Sequence, residues 1–243
     1  MVFAAGLGTR LRPITDSMPK ALVPVCGEPL LYHVICKLRD AGYDDIVVNV
    51  HHFAGQIREY LAANDFGVRI SISDETDLLR ETGGGIRHAR RLLEGSAFLV
   101  HNVDILSDLD LRWFRDQWRQ GALATLLVSE RQTQRYLLFS DDMRLVGWTN
   151  VATGEVRSPY PDLRPESCRR YAFAGIHNIS PDIFEAFDAC GCPERFPIID
   201  FYLQVCAQLP VYGVVPEKLT MVDVGKLDSL ETANSLFRNL LEP

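Results

Sequence analysis

The sequence lacks an apolar run long enough to cross a membrane, and nothing at its start resembles a secretory leader, because Met1 leads directly into a short apolar segment. We therefore expect no membrane partner and a cytoplasmic location. A basic excess is also missing. The 243 residues carry a formal net charge of −7, whereas nucleic-acid binding needs a broad basic face, so we expect no nucleic-acid partner.

Disulfide and zinc patterns are absent as well, although the chain has six cysteines. Cys190 and Cys192 form the one close pair, and no second pair or histidine accompanies them at the spacing of a zinc site. Reduced thiols are the default in the cytoplasm. The cysteines therefore indicate neither a disulfide scaffold nor a metal site.

The two best-known phosphate-binding loops are missing too. After Gly6 and Gly8, Leu11 stands where the dinucleotide fingerprint Gly-x-Gly-x-x-Gly needs its third glycine. No Gly-Lys-Ser or Gly-Lys-Thr follows a glycine at the spacing of a P-loop. The sequence therefore excludes both of these loops.

A different glycine loop follows the first apolar segment, Val2 to Ala5, which we interpret as a buried strand. The loop, Gly6 to Arg10, contains two glycines, a hydroxyl and an arginine, and Lys20 comes soon after it. Glycines let backbone N–H groups approach an anion, and the two cations add charge where a polyphosphate would lie. Taken alone, this pattern fits either an anion-binding loop or an ordinary turn at the end of a strand.

Strand and helix patterns alternate through the first half of the chain. Asp45 to Val50 is typical of a buried strand, and Ala54 to Ala63 has the apolar spacing of a helix. Gly84 to Leu93 indicates a further helix, which begins at the glycines. More strands follow in the second half, among them Ala124 to Ser129. This order predicts an α/β fold, with parallel strands covered by helices and ligands outside the carboxyl ends of the strands. We expect one Rossmann-like domain over residues 1–243, with a mixed, mostly parallel sheet flanked by helices.

Two aspartates stand at or near the ends of apolar strand patterns. Asp104 follows the segment Phe98 to Val103, and Asp223 follows Leu219 to Val222. Mg²⁺ takes few protein carboxylates and fills its remaining positions with phosphate oxygens and water. Such aspartates are candidates for a metal site; the alternative is that they cap a helix or begin a turn.

The glycine loop together with Pro19-Lys20 and Pro24 closely resembles the signature of the nucleoside-diphosphate-sugar pyrophosphorylases, or sugar-1-phosphate nucleotidyltransferases. Further segments match in the order that this family has: Glu81 to Ile86, Asn102 to Asp104, Phe173 to Ile176 and Val222 to Gly225. The resemblance implies the nucleotide-diphospho-sugar transferase fold. It also implies a nucleotide-binding half at about 1–122 and a sugar-binding half at about 123–243.

The resemblance assigns roles to individual residues. Arg10 and Lys20 would be catalytic, and Asp104 and Asp223 would bind Mg²⁺. Nucleotide-binding residues would be Ala5, Gly6, Gly8, Thr9, Glu81 and Gly83, and sugar-binding residues would be Asn150 and Gly175.

The chain departs from the family pattern at two places. Val103 replaces the usual glycine before the first metal aspartate. On the sugar side, the usual Tyr-Gly pair and Glu-Lys-Pro segment are missing, and the candidate replacements are Arg135, Trp148 and Asn150. These departures leave the identity of the sugar open.

The family reaction joins a nucleoside triphosphate to a sugar 1-phosphate and releases pyrophosphate. Within the family, the Glu-Thr-Gly-Gly-Gly loop and the short length most resemble the members that use UTP and N-acetylmuramate 1-phosphate, and this resemblance implies a role in peptidoglycan recycling. We expect a monomer or small homo-oligomer. Open alternatives are mannose phosphate with GTP, glucose phosphate with dTTP and a phosphocholine-type acceptor with CTP. A non-catalytic nucleotide-sugar sensor is a further alternative. For the carboxylate of N-acetylmuramate the candidate partners are Arg135, Arg169 and Arg170.

Overall fold

Buried aliphatic segments form strands where the alternating patterns predict them. In the strand Asp45–Val50 every residue after the first is buried, and the helix Ala54–Ala63 buries Ile57 on its inner face. Both elements have the bounds predicted from the sequence. The structure, a computed structural model, describes residues 1–241, with side chains as far as Phe237.

The strands in chain order are β1 (Val2–Phe3), β2 (Pro24–Val25), β3 (Glu28–Pro29), β4 (Asp45–Val50), β5 (Arg69–Asp74), β6 (Phe98–Asn102), β7 (Ile105–Ser107), β8 (Ala124–Ser129), β9 (Arg135–Phe139), β10 (Leu145–Asn150), β11 (Glu155–Arg157), β12 (Arg169–Ile179), β13 (Val211–Val214) and β14 (Met221–Asp223). The α-helices are α1 (Leu30–Asp40), α2 (Ala54–Ala63), α3 (Glu81–His88), α4 (Arg90–Leu93), α5 (Leu111–Asp116), α6 (Ile183–Ala189), α7 (Ile198–Val205) and α8 (Leu227–Leu241). Short 3-10 helices lie at Thr9–Leu11, Ile14–Asp16, Lys20–Leu22 and Pro165–Ser167. Within the described part of the chain, no helix has the length and apolar character needed to cross a membrane.

The chain divides into two compact units that interleave along the sequence. The first unit comprises Met1–Leu79, His101–Arg112 and the chain from Leu219 onward. The second comprises Arg80–Val100 and Trp113–Lys218. The expectation of one domain, with halves that meet near residue 122, stays a prediction.

In the first unit, parallel strands lie in the order β5, β4 and β1, followed by the last two residues of β6, His101 and Asn102. Phe3, the last residue of β1, pairs with Asn49 on one side and with Asn102 on the other. The chain segments that follow β1 and β6 therefore leave the sheet at the same edge, which is where ligands bind in parallel sheets. β1 ends two residues earlier than the predicted strand Val2 to Ala5.

In the second unit, the strands lie in the order β13, β8, β12, β9, β10 and β11. β13 and β8 are parallel, and the other pairs are antiparallel. The register of β12 against β8 shifts between Phe173 and His177. Gly175 lies within this bulge at φ +74°, a left-handed conformation that glycine adopts without steric penalty. The expected combination of parallel and antiparallel pairing is therefore present.

Helix α3 begins earlier than the glycine-rich sequence predicts. The pattern predicts one helix from Gly84 to Leu93, whereas the structure has α3 from Glu81 and a separate α4 from Arg90. Ala89 separates them, with ψ of 6° instead of a helical value. The continuous helix of the prediction is therefore wrong.

A buried histidine makes the second unit sensitive to acid. His177 Nδ1 and the Tyr202 hydroxyl are hydrogen-bonded at 2.9 Å, and both residues are buried. Burial lowers the pKa of His177 from 6.5 to about 3, because an imidazolium there would lose its hydration. Between these two values the unfolded chain binds more protons than the folded one, so stability decreases as pH decreases.

We predict that the free energy of unfolding decreases below pH 6.5 by up to about 1.4 kcal/mol per pH unit through this histidine, and that His177→Gln has a shallower dependence. Denaturant titrations between pH 7 and about 4 measure both slopes. Equal slopes in wild type and His177→Gln would contradict the assignment.

Candidate active site

The glycine loop of the first unit is held against Thr15 and Lys20. Gly8 has φ +64°, and its carbonyl accepts a hydrogen bond from Thr15 Oγ1 at 2.8 Å. A Cβ atom on Gly8 would lie 2.9 Å from Thr15 Cγ2 and 3.1 Å from Lys20 Cβ. Both the backbone conformation and the close packing therefore require glycine at this position.

Lys20 and Asp104 form a largely buried ion pair. The ammonium of Lys20 donates a hydrogen bond to Asp104 Oδ2, and the two side chains are only 11% and 20% exposed. Pro19, which precedes Lys20, is extended, as a residue fixed by its ring would be. The pairing explains how a lysine is tolerated in so enclosed a position, because an isolated buried ammonium would be costly.

Pairing between two short strands brings Asp223 beside Asp104. β14 runs antiparallel to β7, and Asp223 lies opposite Ile105, the residue after Asp104. The backbone N–H of Val224 donates to the carbonyl of Asp104 at 2.8 Å. Two carboxylates that are 119 positions apart in sequence (223 − 104) therefore lie on adjacent backbone segments.

Arg10 approaches the same place from the glycine loop. A Cβ atom on Gly225 would lie 2.7 Å from Asp223 Oδ1 and 2.8 Å from Arg10 Nη2. A side chain on Gly225 would therefore collide with both the Arg10 guanidinium and the Asp223 carboxylate. This gives the glycine of the Val222 to Gly225 segment a physical reason.

The first unit thus brings together the four charged residues that the family resemblance assigns to catalysis and metal binding. Arg10, Lys20, Asp104 and Asp223 are neighbours, and the loop residues Ala5, Gly6, Gly8 and Thr9 precede or adjoin them in the chain. Val103, the departure from the family pattern, is buried, and its N–H donates to the Phe3 carbonyl at 3.2 Å. The described residues contain no group of three or more His, Cys, Asp or Glu side chains suited to a metal ion.

Sequence reasoning missed two polar residues behind the glycine loop. Asn49 accepts hydrogen bonds from the N–H groups of Ala4 and Ala5, and it donates one to Glu75. Both Asn49 and Glu75 are buried. The sequence signal was a single amide inside the otherwise apolar run of β4, and a carboxylate directly after β5.

In the second unit, the glycine-rich start of α3 packs tightly against another chain segment. A Cβ atom would lie 2.3 Å from the Phe196 ring if placed on Gly83, and 2.2 Å from the Glu194 carbonyl oxygen if placed on Gly84. The N–H groups of Gly83 and Gly84 both donate to the Phe196 carbonyl. Close packing therefore explains these glycines, and the role of Gly83 in nucleotide binding stays a prediction.

Glu81, at the start of the same helix, has a backbone conformation that is unfavourable for its type. Its φ is +61°, which costs a residue with a side chain on the order of 1 kcal/mol. Glu81 Oε1 accepts a hydrogen bond from Arg195 Nε at 3.0 Å, and Thr82 Oγ1 accepts one from the first N–H of α7, at Ile198. Strain of this kind is often retained where a side chain has a binding role.

The sugar-side candidates of the second unit lie on its antiparallel strands. Asn150 and Arg135 are paired across β10 and β9. Asn150 Oδ1 accepts a hydrogen bond from the N–H of Ala152 at 3.0 Å, which stabilises the turn after β10. The turn accounts for Asn150 without a ligand, so the sugar-binding roles of Asn150 and Gly175 stay predictions.

The three arginine candidates differ in their surroundings. Arg169 Nε lies 3.6 Å from Asp141 Oδ1, and Arg170 Nε donates to the Pro165 carbonyl at 3.3 Å. Arg135 is exposed and has no acidic partner among the described side chains. Arg135 is therefore the candidate best able to receive a carboxylate.

The sequence model of the nucleotidyl transferase family matches residues 1–136 of this chain. The chain belongs to the nucleotidyl transferase family. N-acetylmuramate α-1-phosphate uridylyltransferase from Caulobacter vibrioides is 34% identical over 231 residues, which cover 91% of this chain and 89% of that protein. The protein of the same name from Neisseria meningitidis is 44% identical over 111 residues, 45% of this chain and 48% of that protein.

The fold is shared with solved nucleotidyl transferase structures. A Bacillus anthracis protein assigned as a glucose-1-phosphate thymidylyltransferase has a TM-score of 0.82 at 20% identity, covering 100% of this chain and 96% of that chain. The expected fold class is thereby confirmed, and so is the expected activity class, a sugar-1-phosphate nucleotidyltransferase.

For this nucleotidyl transferase, we predict that Glu81→Gly leaves the free energy of unfolding unchanged or raises it by up to about 1 kcal/mol, because glycine relieves the positive φ. The same substitution should weaken UTP binding several-fold if Glu81 contacts the nucleotide. Thermal unfolding and calorimetric titration with UTP measure the two effects. Arg195→Ala, which removes the ion pair alone, should retain UTP affinity; unchanged affinity in Glu81→Gly would remove Glu81 from the nucleotide site.

Proposed function

We propose that the protein transfers the uridylyl group of UTP to N-acetylmuramate α-1-phosphate. A phosphate oxygen of the sugar would attack the α-phosphorus of UTP, forming the new P–O bond as the bond to pyrophosphate breaks. The attacking phosphate is already ionised, so no general base is required. All reacting groups are anionic, and catalysis must come mainly from positioning and from compensation of negative charge.

The observation that carries this proposal is the group of charges beside Gly8 in the first unit. Lys20 is enclosed and paired with Asp104, and Arg10 and Asp223 both lie beside Gly225. An ammonium has three donors, so a hydrogen bond to Asp104 leaves two for phosphate oxygens. Lys20 is suited to holding the phosphates of both substrates, and Arg10 to holding the departing pyrophosphate.

The donor set at Asp104 and Asp223 fits Mg²⁺. Two carboxylates on adjacent segments suffice for this ion, which retains water and takes its other ligands from substrate phosphates. Bound Mg²⁺ would supply further charge compensation, while Lys20 and Arg10 orient the phosphates.

The choice of UTP and N-acetylmuramate α-1-phosphate is supported by the relative that aligns with 91% of this chain. Glu81 would contact the nucleotide, Asn150 and Gly175 the sugar, and Arg135 the lactyl carboxylate, since a desolvated carboxylate needs a charged partner. These substrates would place the enzyme in peptidoglycan recycling in the cytoplasm.

We predict that UTP with N-acetylmuramate α-1-phosphate gives the highest kcat/KM in a pyrophosphate-release assay that pairs each nucleoside triphosphate with several sugar 1-phosphates. Arg135→Ala should reduce the preference over N-acetylglucosamine 1-phosphate, while UTP binding stays intact. Equal or better turnover of glucose or mannose 1-phosphate would overturn the choice of sugar and leave the reaction class standing. UTP binding without pyrophosphate release from any sugar phosphate would instead indicate a sensor.

We predict that Asp104→Asn, which keeps a hydrogen-bond acceptor for Lys20 and removes the charge, is less stable than the wild type. Measured on the folded protein, it should lose at least ~100-fold in kcat, the typical effect of removing one preorganised charge contact. Chelation by EDTA should abolish turnover, and added Mg²⁺ should restore it. Asp116→Asn, at an exposed aspartate of α5, is the matched control and should retain wild-type turnover. Near-normal rates for Asp104→Asn, or activity that survives EDTA, would refute the metal assignment.

A further inference from the structure

The N–H groups that follow strand β1 are hydrogen-bonded to a side chain instead of to the backbone of a neighbouring strand. Asn49 Oδ1 accepts hydrogen bonds from two successive N–H groups, Ala4 at 2.7 Å and Ala5 at 3.3 Å. These are the last two residues before Gly6, the first residue of the glycine loop. One amide oxygen thus fixes the two peptide units from which the loop departs.

Glu75 determines which end of the Asn49 amide faces the loop. Asn49 Nδ2 donates to Glu75 Oε1 at 2.7 Å, and Asn49 and Glu75 are 2% and 0% exposed. If the amide were rotated by half a turn, its NH₂ group would face two N–H donors and its oxygen would face a carboxyl oxygen. The hydrogen bonds therefore hold the amide in one orientation.

The Asn49–Glu75 pair lies directly behind the start of the glycine loop. Ala4 and Ala5 are buried, whereas Gly6 and Leu7 are exposed. The backbone of Glu75 is itself fixed, since its N–H donates to the Val50 carbonyl at 2.8 Å. Buried amides and carboxyls destabilise a fold unless they are hydrogen-bonded, and the groups that satisfy Asn49 are Glu75 and the two peptide N–H groups next to the loop.

We propose that Asn49 and Glu75 are positioning residues that set the conformation of the loop Gly6 to Arg10 for the nucleotide phosphates. Neither residue needs to touch the substrate. Asn49 orients the peptide units of Ala4 and Ala5, and Glu75 orients Asn49. The nucleotide part of this inference rests on the proposed function, whereas the loop conformation is measurable without any ligand.

Two variants separate the hydrogen bonds from the bulk of the side chain. Asn49→Leu preserves approximate volume and removes both the acceptor and the donor. The double variant Asn49→Asp/Glu75→Gln reverses the pair, because a carboxylate oxygen still accepts from Ala4 and Ala5 while the glutamine NH₂ donates to the aspartate. Ser73→Ala is the matched control: Ser73 is buried, pairs with Asn49 across β5 and β4, and its hydroxyl has no hydrogen-bond partner.

Amide hydrogen exchange of the free protein is the first readout. Asn49→Leu should speed exchange at Ala4 and Ala5 by about 10-fold or more, the effect of losing one hydrogen bond, while Val128 in β8 exchanges as in wild type. The double variant and Ser73→Ala should stay within about 3-fold of wild type at Ala4 and Ala5. If Asn49→Leu does not fold, Asn49→Thr, with a shorter acceptor, replaces it in the same comparison.

UTP affinity in the presence of Mg²⁺ is the second readout. Asn49→Leu should weaken UTP binding and raise the KM for UTP about 10-fold, and the double variant should restore both. The inference is overturned by unchanged exchange at Ala4 and Ala5 in Asn49→Leu, by equal acceleration at Val128, or by a double variant as impaired as Asn49→Leu. Failure of the wild type to bind UTP would overturn the proposed function, while the exchange data still decide the loop conformation.

Discussion

The ion pair between Lys20 and Asp104 is the interaction on which the arrangement of the first unit depends. Each charge lies where water is largely excluded, so either alone would carry a desolvation penalty of several kcal/mol. Together they connect the 3-10 helix at Lys20 with the turn between β6 and β7. The ion pair also supports the glycine loop, because Gly8 packs against the Lys20 side chain. An incoming polyphosphate meets cations that are already fixed, which minimises the reorganisation that a flexible surface lysine would need.

Different physical constraints require glycine at different positions of this chain. Gly8 combines a left-handed backbone with close packing against Lys20, and Gly225 leaves space for the side chains of Arg10 and Asp223. Gly83 and Gly84 instead admit a phenylalanine ring and a carbonyl oxygen of the protein itself. A glycine-rich motif therefore indicates a close approach, and the structure must show what approaches. In the first unit the neighbours include Lys20 and Arg10, two cations suited to phosphate, whereas at α3 they are a ring and a carbonyl group of the chain's own packing.

The sequence predicted the elements whose apolar pattern is long enough to define them. β4, α2 and β8 have the predicted bounds, because each contains a full run of buried residues or a helical stripe. β7 and β14 have three residues each, and they exist through their pairing with one another, which no local pattern contains. That pairing places Asp104 beside Asp223. The residues themselves could be named from the family resemblance, but their proximity required the fold.

The early end of β1 shows why local pattern and structure diverge at this site. Val2 to Ala5 has the composition of a buried strand, yet a strand continues only while its N–H groups bind a neighbouring backbone. At Ala4 and Ala5 they bind the Asn49 side chain instead. Asn49 reads in the sequence as a single polar interruption of an apolar strand, and such a residue weakens the core unless its hydrogen bonds are satisfied. The hydrogen-bond partners of Asn49, Ala4 and Glu75, lie 45 and 26 positions away in the sequence. These hydrogen bonds can therefore form only when β1, β4 and β5 are already aligned. The loop geometry is therefore a property of the assembled sheet, and a glycine motif transplanted without Asn49 and Glu75 would lack its support.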